Sequence, residues 1–517
     1  MSRDVAAPRS LGTITFSLVG FLFLVELTSG ILQGYYVPLV SDLVTHLGIR
    51  DADFNWFEAA QLLVSALAVP ILAKLGDMYG HKRMLLVSTA LTAVASWALV
   101  LAGDFWSFLI AWAFQGFYAV WLPLEVALIF DRGRRTRTVA SQTRRAAGFL
   151  VVALEAGAIA GALGGGAVFE AVGSVPLALS VPAACVTLVF FAILFGVPES
   201  ERVPGRRLDW VGFSLLSLSL VLVTSGLMLL RINGLGAWWV WALMALGLLV
   251  LLPFGFWVLR HPDPAIDLRM LRQPAMWPVQ ITAGLFGISV LGAQIPLTTY
   301  VGTDPTALTA DGTPLGYGLG LSSGMRSIVI GVYLLSLIVG AVLFAVLSKR
   351  IAPRLALIVA TALVAVGYGL LIPFHATLTE VLLDMVVAGL GSGALVAALP
   401  AAAAAAAPRG QTGIATGLTN TTKTIGGAFA SAVFGLALAS GIAAGAGTAA
   451  SLSGYLTAWA ICSGGAVVAM VLLFFVPKLA FADDDPVDDG LEAYVSSEPE
   501  PAAEPAPSDP TGGSRRS

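Results

Sequence analysis

The chain has 517 residues, of which 57% are hydrophobic and only 11% charged, and its mean hydropathy is +0.87. Soluble domains carry roughly 25% charged residues, so the composition excludes an ordinary water-soluble fold. The net charge of -3 gives no sign of a nucleic-acid partner.

A membrane-crossing helix needs about 20 mainly apolar residues. Fourteen such runs follow in order, at 13–37, 56–75, 84–102, 105–130, 146–169, 174–197, 209–231, 238–259, 276–301, 327–347, 355–374, 380–400, 413–439 and 453–477. The first is too long for a signal-peptide core and lacks a small-residue cleavage site, so it is expected to remain as a helix. Cys185 and Cys462 stand alone inside apolar runs, and His46, His81, His261 and His375 lack ligand spacing. Neither a disulfide, a metal site nor a cofactor is expected.

An even number of crossings puts both termini on one side. With that side cytoplasmic, 24 of the 28 Lys and Arg residues fall inside, Arg50, Arg231 and Arg326 fall outside, and Lys423 lies within a helix. Such asymmetry is what the positive-inside rule demands. Trp56, Trp106, Trp238 and Trp239 then fall at outer helix ends, and Trp210, Trp257 and Trp277 at inner ones, as interfacial anchors would.

The stretches "LAKLGDMYGHKRML" after the second run and "FAVLSKRIAPRLAL" after the tenth align, with Ala73, Leu75 and Lys82 opposite Ala345, Leu347 and Arg354. A helix, short basic loop and helix recurring in two halves is the mark of a duplicated transporter. The expected fold is all-α and integral to the membrane. It comprises a cytoplasmic N-terminus (1–12), a six-helix half (13–197), an inserted helix pair (198–260), a second six-helix half (261–478) and an acidic, Pro-rich, disordered cytoplasmic tail (479–517).

In "LAKLGDMYGHKRML", Gly76 and Gly80 suit a tight turn, Asp77 can pair with a basic group or a helix N-terminus, and the basic residues can face anionic lipid. The segment resembles the loop signature of the major facilitator superfamily, G-x-L-a-D-r-x-G-r-[kr], through Leu75, Asp77, Gly80, Lys82 and Arg83, with Ala73 in place of the first glycine. The resemblance implies a major facilitator fold in which this loop latches the two halves in one state of the cycle. Other stretches are similar to the fourteen-helix drug:proton antiporter branch (EmrB/QacA-like): "HPDPAIDLRMLRQPAM", "TPLGYGLGLSSGMRSIV" and "GLTNTTKTIGGAFASAVFG". "GALGGG" at 161–166 resembles that branch's G-P-x-x-G-G signature, with Ala162 for the proline. Gly157, Gly161, Gly164, Gly165 and Gly166 form the expected helix-packing motif, with Gly157 and Gly161 spaced for close helix contact.

Two departures bear on mechanism. The family pattern R-x-x-q-G reads Trp112-Ala113-Phe114-Gln115-Gly116, and the branch's aspartate nine residues before a proline is Ser29, counting back from Pro38. The charge pair many relatives use in proton coupling is therefore absent.

Ionisable groups near a bilayer centre cost about 2.5–3.5 kcal/mol on insertion scales, so those present need a reason. They are Glu26, Glu125, Glu155, Asp384 and Lys423. At about 1.5 Å per residue, Glu26 and Glu155 fall near the midplane, Glu125 towards the cytoplasm and Asp384 towards the outside. Glu26, Glu125 and Glu155 are expected to form a relocated acidic cluster that takes and releases a proton or binds a cationic substrate, with Asp384 and Lys423 as further candidates. Gln33, Trp112, Gln115 and Tyr118 are candidate cavity lining. No nucleotide-binding loop and no nucleophile–base constellation is visible, so neither ATP hydrolysis nor other chemistry is expected. The sequence points to a multi-pass exporter in the cell membrane, with partners a hydrophobic or amphipathic small molecule, protons and membrane lipids. A lipid or lipid-precursor translocator of the same fold and a non-transporting sensor or scaffold are the alternatives.

Overall fold

The computed structural model describes residues 16–475 apart from 134–138, 201–207, 235, 263, 265–267, 275, 291–293, 309–311, 348–350, 352, 407–411 and 441–448. A bilayer offers no partner to backbone N–H and C=O groups, so a spanning chain must be helical or a closed barrel. Here the helices are α1 (Phe16–Tyr35), α2 (Val40–Leu47), α3 (Asp51–Tyr79), α4 (His81–Leu101), α5 (Phe105–Gln115), α6 (Trp121–Gly133), α7 (Val139–Val172) and α8 (Val175–Gly196). They continue as α9 (Trp210–Asn233), α10 (Trp238–Arg260), α11 (Met276–Val290), α12 (Gln294–Gly302), α13 (Ser323–Leu347), α14 (Pro353–Leu370), α15 (Leu378–Ala406), α16 (Thr412–Ala439) and α17 (Leu452–Leu473). Among the described residues, 13 segments are long and apolar enough to cross a membrane, and the shorter apolar helix Arg354–Leu370 stands where the eleventh crossing is expected. The tail expected at 479–517 lies outside the described residues.

Several crossings differ from the apolar windows. The first runs on past residue 37: Pro38, which has no N–H to donate, sits in a 3-10 turn at Val37–Leu39, and α2 then carries the crossing to Leu47. The fourth is broken by a 3-10 turn at Gly116–Val120, between α5 and α6. The second and fifth extend well beyond their windows, as α3 and α7, because polar end residues continue a helix that hydropathy alone cuts short. Among the expected anchors, Trp106, Trp210, Trp238, Trp239 and Trp257 are exposed. Trp56 is not an anchor: it is buried with Ala59, Leu227 and Ala432 between α3, α9 and α16.

Helix pairing repeats. In the first half α1 packs on α7 and α8, α4 on α8, and α3 on α5; in the second α11 packs on α16 and α17, α14 on α17, and α13 on α15. One apolar core lies mainly in each half, with Val37, Ala52, Ala158 and Ala162 of the first packed into the core of the second. The halves meet reciprocally, α3 against α16 and α7 against α13. The pair α9–α10 packs on itself and reaches the rest mainly through α9, at α16 and α3.

The α1–α7 contact shows why small residues are needed. A Cβ on Gly157 or Gly161 would fall against the backbone of Leu27 or Ile31, one on Gly165 against Tyr35, and those on Gly30 and Gly34 against α7. Gly164 faces open space and Gly166 faces α13, so the glycine run serves two different interfaces.

Candidate functional site

Glu26 on α1 and Glu125 on α6 are both fully buried. They interact electrostatically, and among the described residues none of their four carboxyl oxygens has a hydrogen-bond partner. Their meeting follows from the helix break described above. The first crossing spans Val19–Leu47, so Glu26 lies about 10 Å to the N-terminal side of its midpoint at about 1.5 Å per residue. That is the depth of Glu125, rather than the midplane position expected for Glu26.

Glu155 does not join them. It lies on α7 and interacts instead with Lys423 on α16, in the opposite half. Both are half-buried and near the middle of their helices. Tyr333 on α13 also feels Glu155. The expected three-carboxyl cluster is thus a carboxyl pair within the first half and a separate acid–base pair between the halves. Asp384 on α15 stands apart from both, 4% exposed, with Oδ2 unpartnered and Glu380 as its charged neighbour.

Gln115, fully buried, is the hub of a polar network. Its Nε2 donates to the Tyr36 hydroxyl at 2.7 Å and to Ser96 Oγ at 3.2 Å, and its Oε1 accepts from Gln61 Nε2 at 3.3 Å. Trp112 packs edge-on to Tyr36 and Phe54. Both residues are built into the wall of the first half, whereas Gln33 is exposed and Tyr118 half-buried. Tyr118 lies beside Glu58 of α3, a membrane carboxyl that hydropathy analysis passed over. A single acid inside the 56–75 window was the available signal.

The α3–α4 loop is docked onto the end of α8. Gly80 has φ 107°, a conformation that favours glycine, and a Cβ there would meet the Glu199 carboxylate. Glu199 accepts from the Lys82 backbone N–H at 3.0 Å and pairs with Arg83 at 3.5 Å. Lys82 Nζ donates to Leu194 O at 2.9 Å, and Asp77 lies 3.3 Å from His81 Nε2. Leu75 and Gly76 belong to α3 itself, so the turn depends on Gly80 and not on Gly76, whose Cα faces Leu124 and His81. Lys82 and Arg83 each have a protein partner, while the Arg83 side chain stays 55% exposed.

Two halves with matching helix pairs, apolar spans and buried carboxyls define a multi-pass membrane transporter. The family model described as Major Facilitator Superfamily matches residues 22–431 and 312–504, and the chain belongs to that family. It is 25% identical over 397 residues to the Tetracenomycin C resistance and export protein of Streptomyces glaucescens, covering 75% of this chain and 69% of that one. It is 29% identical to the Cephamycin export protein CmcT of Amycolatopsis lactamdurans (75% and 77% covered). With a Triacylglyceride transporter of Mycobacteroides abscessus the identity is 26% (75% and 76% covered). An auto-inhibited POT family peptide transporter shares the fold, with a TM-score of 0.63 at 16% identity over 91% of this chain and 98% of that one.

Proposed function

We propose that this chain is an ion-gradient-driven exporter of hydrophobic or amphipathic small molecules, with protons as the coupling ion. It is assigned to the fourteen-helix drug:proton antiporter branch, with two six-helix halves (13–197 and 261–478) around an inserted pair (198–260) and both termini cytoplasmic. The observation that carries the reading is the Glu26–Glu125 pair. Two fully buried carboxyls on helices that pack together, without a hydrogen-bond partner among the described residues, are costly to hold as two charges. A conformation that hydrates them lets a proton leave, which ties protonation to alternating access. Relatives named for export of tetracenomycin and cephamycin support the export direction and the substrate class. The Glu155–Lys423 pair, facing across the halves, is the substrate-contact candidate, with Tyr118 and Glu58 on the first-half side.

Efflux from everted membrane vesicles, with and without an imposed proton gradient, tests this in wild type and Glu26→Gln. Gradient-driven flux that the substitution abolishes is the expected result. Flux indifferent to both gradient and substitution would remove proton coupling through Glu26.

Lipid or lipid-precursor translocation is the second reading. It is favoured by an apolar cavity of about 420 Å³ where α9 and α10 meet α3, α11 and α16, lined by Leu63, Leu220, Leu251, Ile288 and Phe429 among others. The relative named a triacylglyceride transporter points the same way. Flux of a fluorescent lipid in reconstituted vesicles, unchanged by the proton gradient, would favour this reading over the first.

A further inference from the structure

The inserted pair is sparsely supported by the rest of the bundle. Only 17% of the apolar window of α10 is buried, the least of the 13 segments able to cross a membrane, and the pair reaches the two halves mainly through α9. The apolar cavity of about 420 Å³ lies in the space left between α9, α10, α3, α11 and α16. Its inner wall holds Ala66, Ser219 and Ala428, all buried, and its mouth holds Leu248, Ile281 and Phe429, all exposed. That mouth is continuous with the exposed apolar face of α10 at Leu249 and Leu252, so the cavity opens onto the lipid-facing surface of the protein.

Depth and lining restrict what can fill it. Ala66, Leu220, Leu248 and Phe429 each stand one residue or less from the midpoint of the crossing segment that carries them, which places the cavity at the bilayer centre. The hydrocarbon core is about 30 Å thick, so lipid headgroups stand about 15 Å away and only the far part of an acyl tail reaches this level. No ionisable side chain lines the cavity, and the Thr422 hydroxyl donates to the Leu418 carbonyl of its own helix at 2.9 Å. Water would find too few polar partners there, and an empty space would forfeit the dispersion contacts of its lining. The wall between α11 and α16 is shut: a Cβ on Gly426 would fall on the Gly284 carbonyl, so the two backbones touch. Lys423, also on α16, engages Glu155 on α7. The cavity is thus a bilayer-side feature, apart from the acid–base pair between the halves.

We propose that this cavity binds one acyl tail of a membrane phospholipid, which enters sideways from the bilayer and packs the inserted pair against α3, α11 and α16. The tail supplies contacts that α10 lacks. Because the headgroup stays at the interface, the site reads tail length and shape and is indifferent to headgroup. It requires only that the protein span a bilayer, and it is occupied under either reading of the transported cargo.

The test uses full-length protein in phosphatidylcholine vesicles with a trace of phosphatidylcholine carrying a photoreactive diazirine, either near the terminal methyl or near the ester of one tail. After illumination, peptide mass spectrometry locates the label. The methyl-end probe is expected to mark residues 220–224 and 422–429, and the ester-end probe to leave them unmarked. Replacing choline by glycerol in the probe headgroup should change neither result. Thr224→Phe and, independently, Leu248→Trp put a ring into the space and should each cut the cavity label about tenfold. Leu249 and Leu252, outside the cavity, should stay marked in both variants and so report intact insertion. Equal marking of cavity and outer face that neither substitution lowers would overturn the proposal, and so would marking of the cavity by the ester-end probe in wild type. Displacement of the label by tetraphenylphosphonium, a hydrophobic cation, would make the cavity an entry for cargo instead. Loss of the label as protein density in the vesicles rises would place a second copy of the protein there, again against a lipid tail.

Discussion

Ser29 stands on α1 where the resemblance to the drug:proton antiporter branch implies an aspartate, and the acid nearest to it in sequence, Glu26, is buried in the first half with Glu125 as its charged neighbour. If the pair couples protons, Glu26→Gln and Glu125→Gln should each lower the substrate gradient that a proton gradient sustains by about 5–150-fold, the span of a 1–3 kcal/mol coupling free energy. Vesicle accumulation measured at several pH values checks this, and the pH dependence should flatten in both variants. The Glu155–Lys423 pair makes a different prediction. Lys423→Ala should weaken substrate binding more in a Glu155 background than in Glu155→Gln, with a coupling of about 0.5–3 kcal/mol in a double-mutant cycle of transport KM. The charged positions were legible in the sequence because each stands out in an apolar run, but their partners were not. Glu125 lies 99 residues from Glu26 in the chain, and only the paths of α1 and α6 bring them together. Glu58 is open to the same reasoning, but it lies two residues inside the 56–75 run, where a helix-end acid is ordinary.

Helix existence follows from hydropathy, but helix shape depends on single residues that hydropathy does not weigh. Pro38 and the Gly116–Val120 turn divide two of the crossings, and both shift the depth of the acids they carry. The glycines of α7 were legible as a packing motif, though not which glycine faces which helix. Gly161→Val should destabilise the protein by about 1–3 kcal/mol, since its Cβ would enter α1 backbone. Gly164→Ala, with nothing within 4 Å, should stay within about 0.5 kcal/mol; detergent-solubilised melting curves separate the two. Asp104 caps α5 outside the membrane span, accepting from the backbone N–H groups of Trp106 and Ser107 and from the Ser107 hydroxyl at 2.6 Å. The Ser107 hydroxyl, then the backbone N–H groups, hold its carboxyl below the ordinary range. A carboxyl depressed in the folded state stabilises above its unfolded pKa of about 3.9, and that contribution fades as pH falls through the folded value. Asp104→Ala should therefore lower the melting temperature at pH 7, with the difference from wild type shrinking below about pH 4.

The two-fold plan of the molecule was visible as a repeated helix–loop–helix, and the reciprocal contacts of α3 with α16 and α7 with α13 are its three-dimensional form. The Asp42–Arg326 ion pair that joins α2 to α13 was not visible, because the two residues are 284 apart and each reads alone as a loop-end charge. Nor could the sequence tell that Lys82 and Arg83 are engaged by Leu194 and Glu199. The buried charged groups Glu26, Glu125, Glu155, Lys423 and Asp384 all belong to the helical bundle. The acidic segment after Lys478, with composition "ADDDPVDDGLEAYVSSEPEPAAEPAPSDP", is too polar to bury a core. Removing residues 480–517 should leave transport within about twofold of wild type, since so acidic and Pro-rich a segment has no apolar face with which to support the bundle. Vesicle efflux corrected for the amount of protein in the membrane measures this. A role as sensor or scaffold would require the opposite, because the tail would then be the part that partners read. Loss of the protein's cellular effect with flux intact would show that transport is only part of what the chain does.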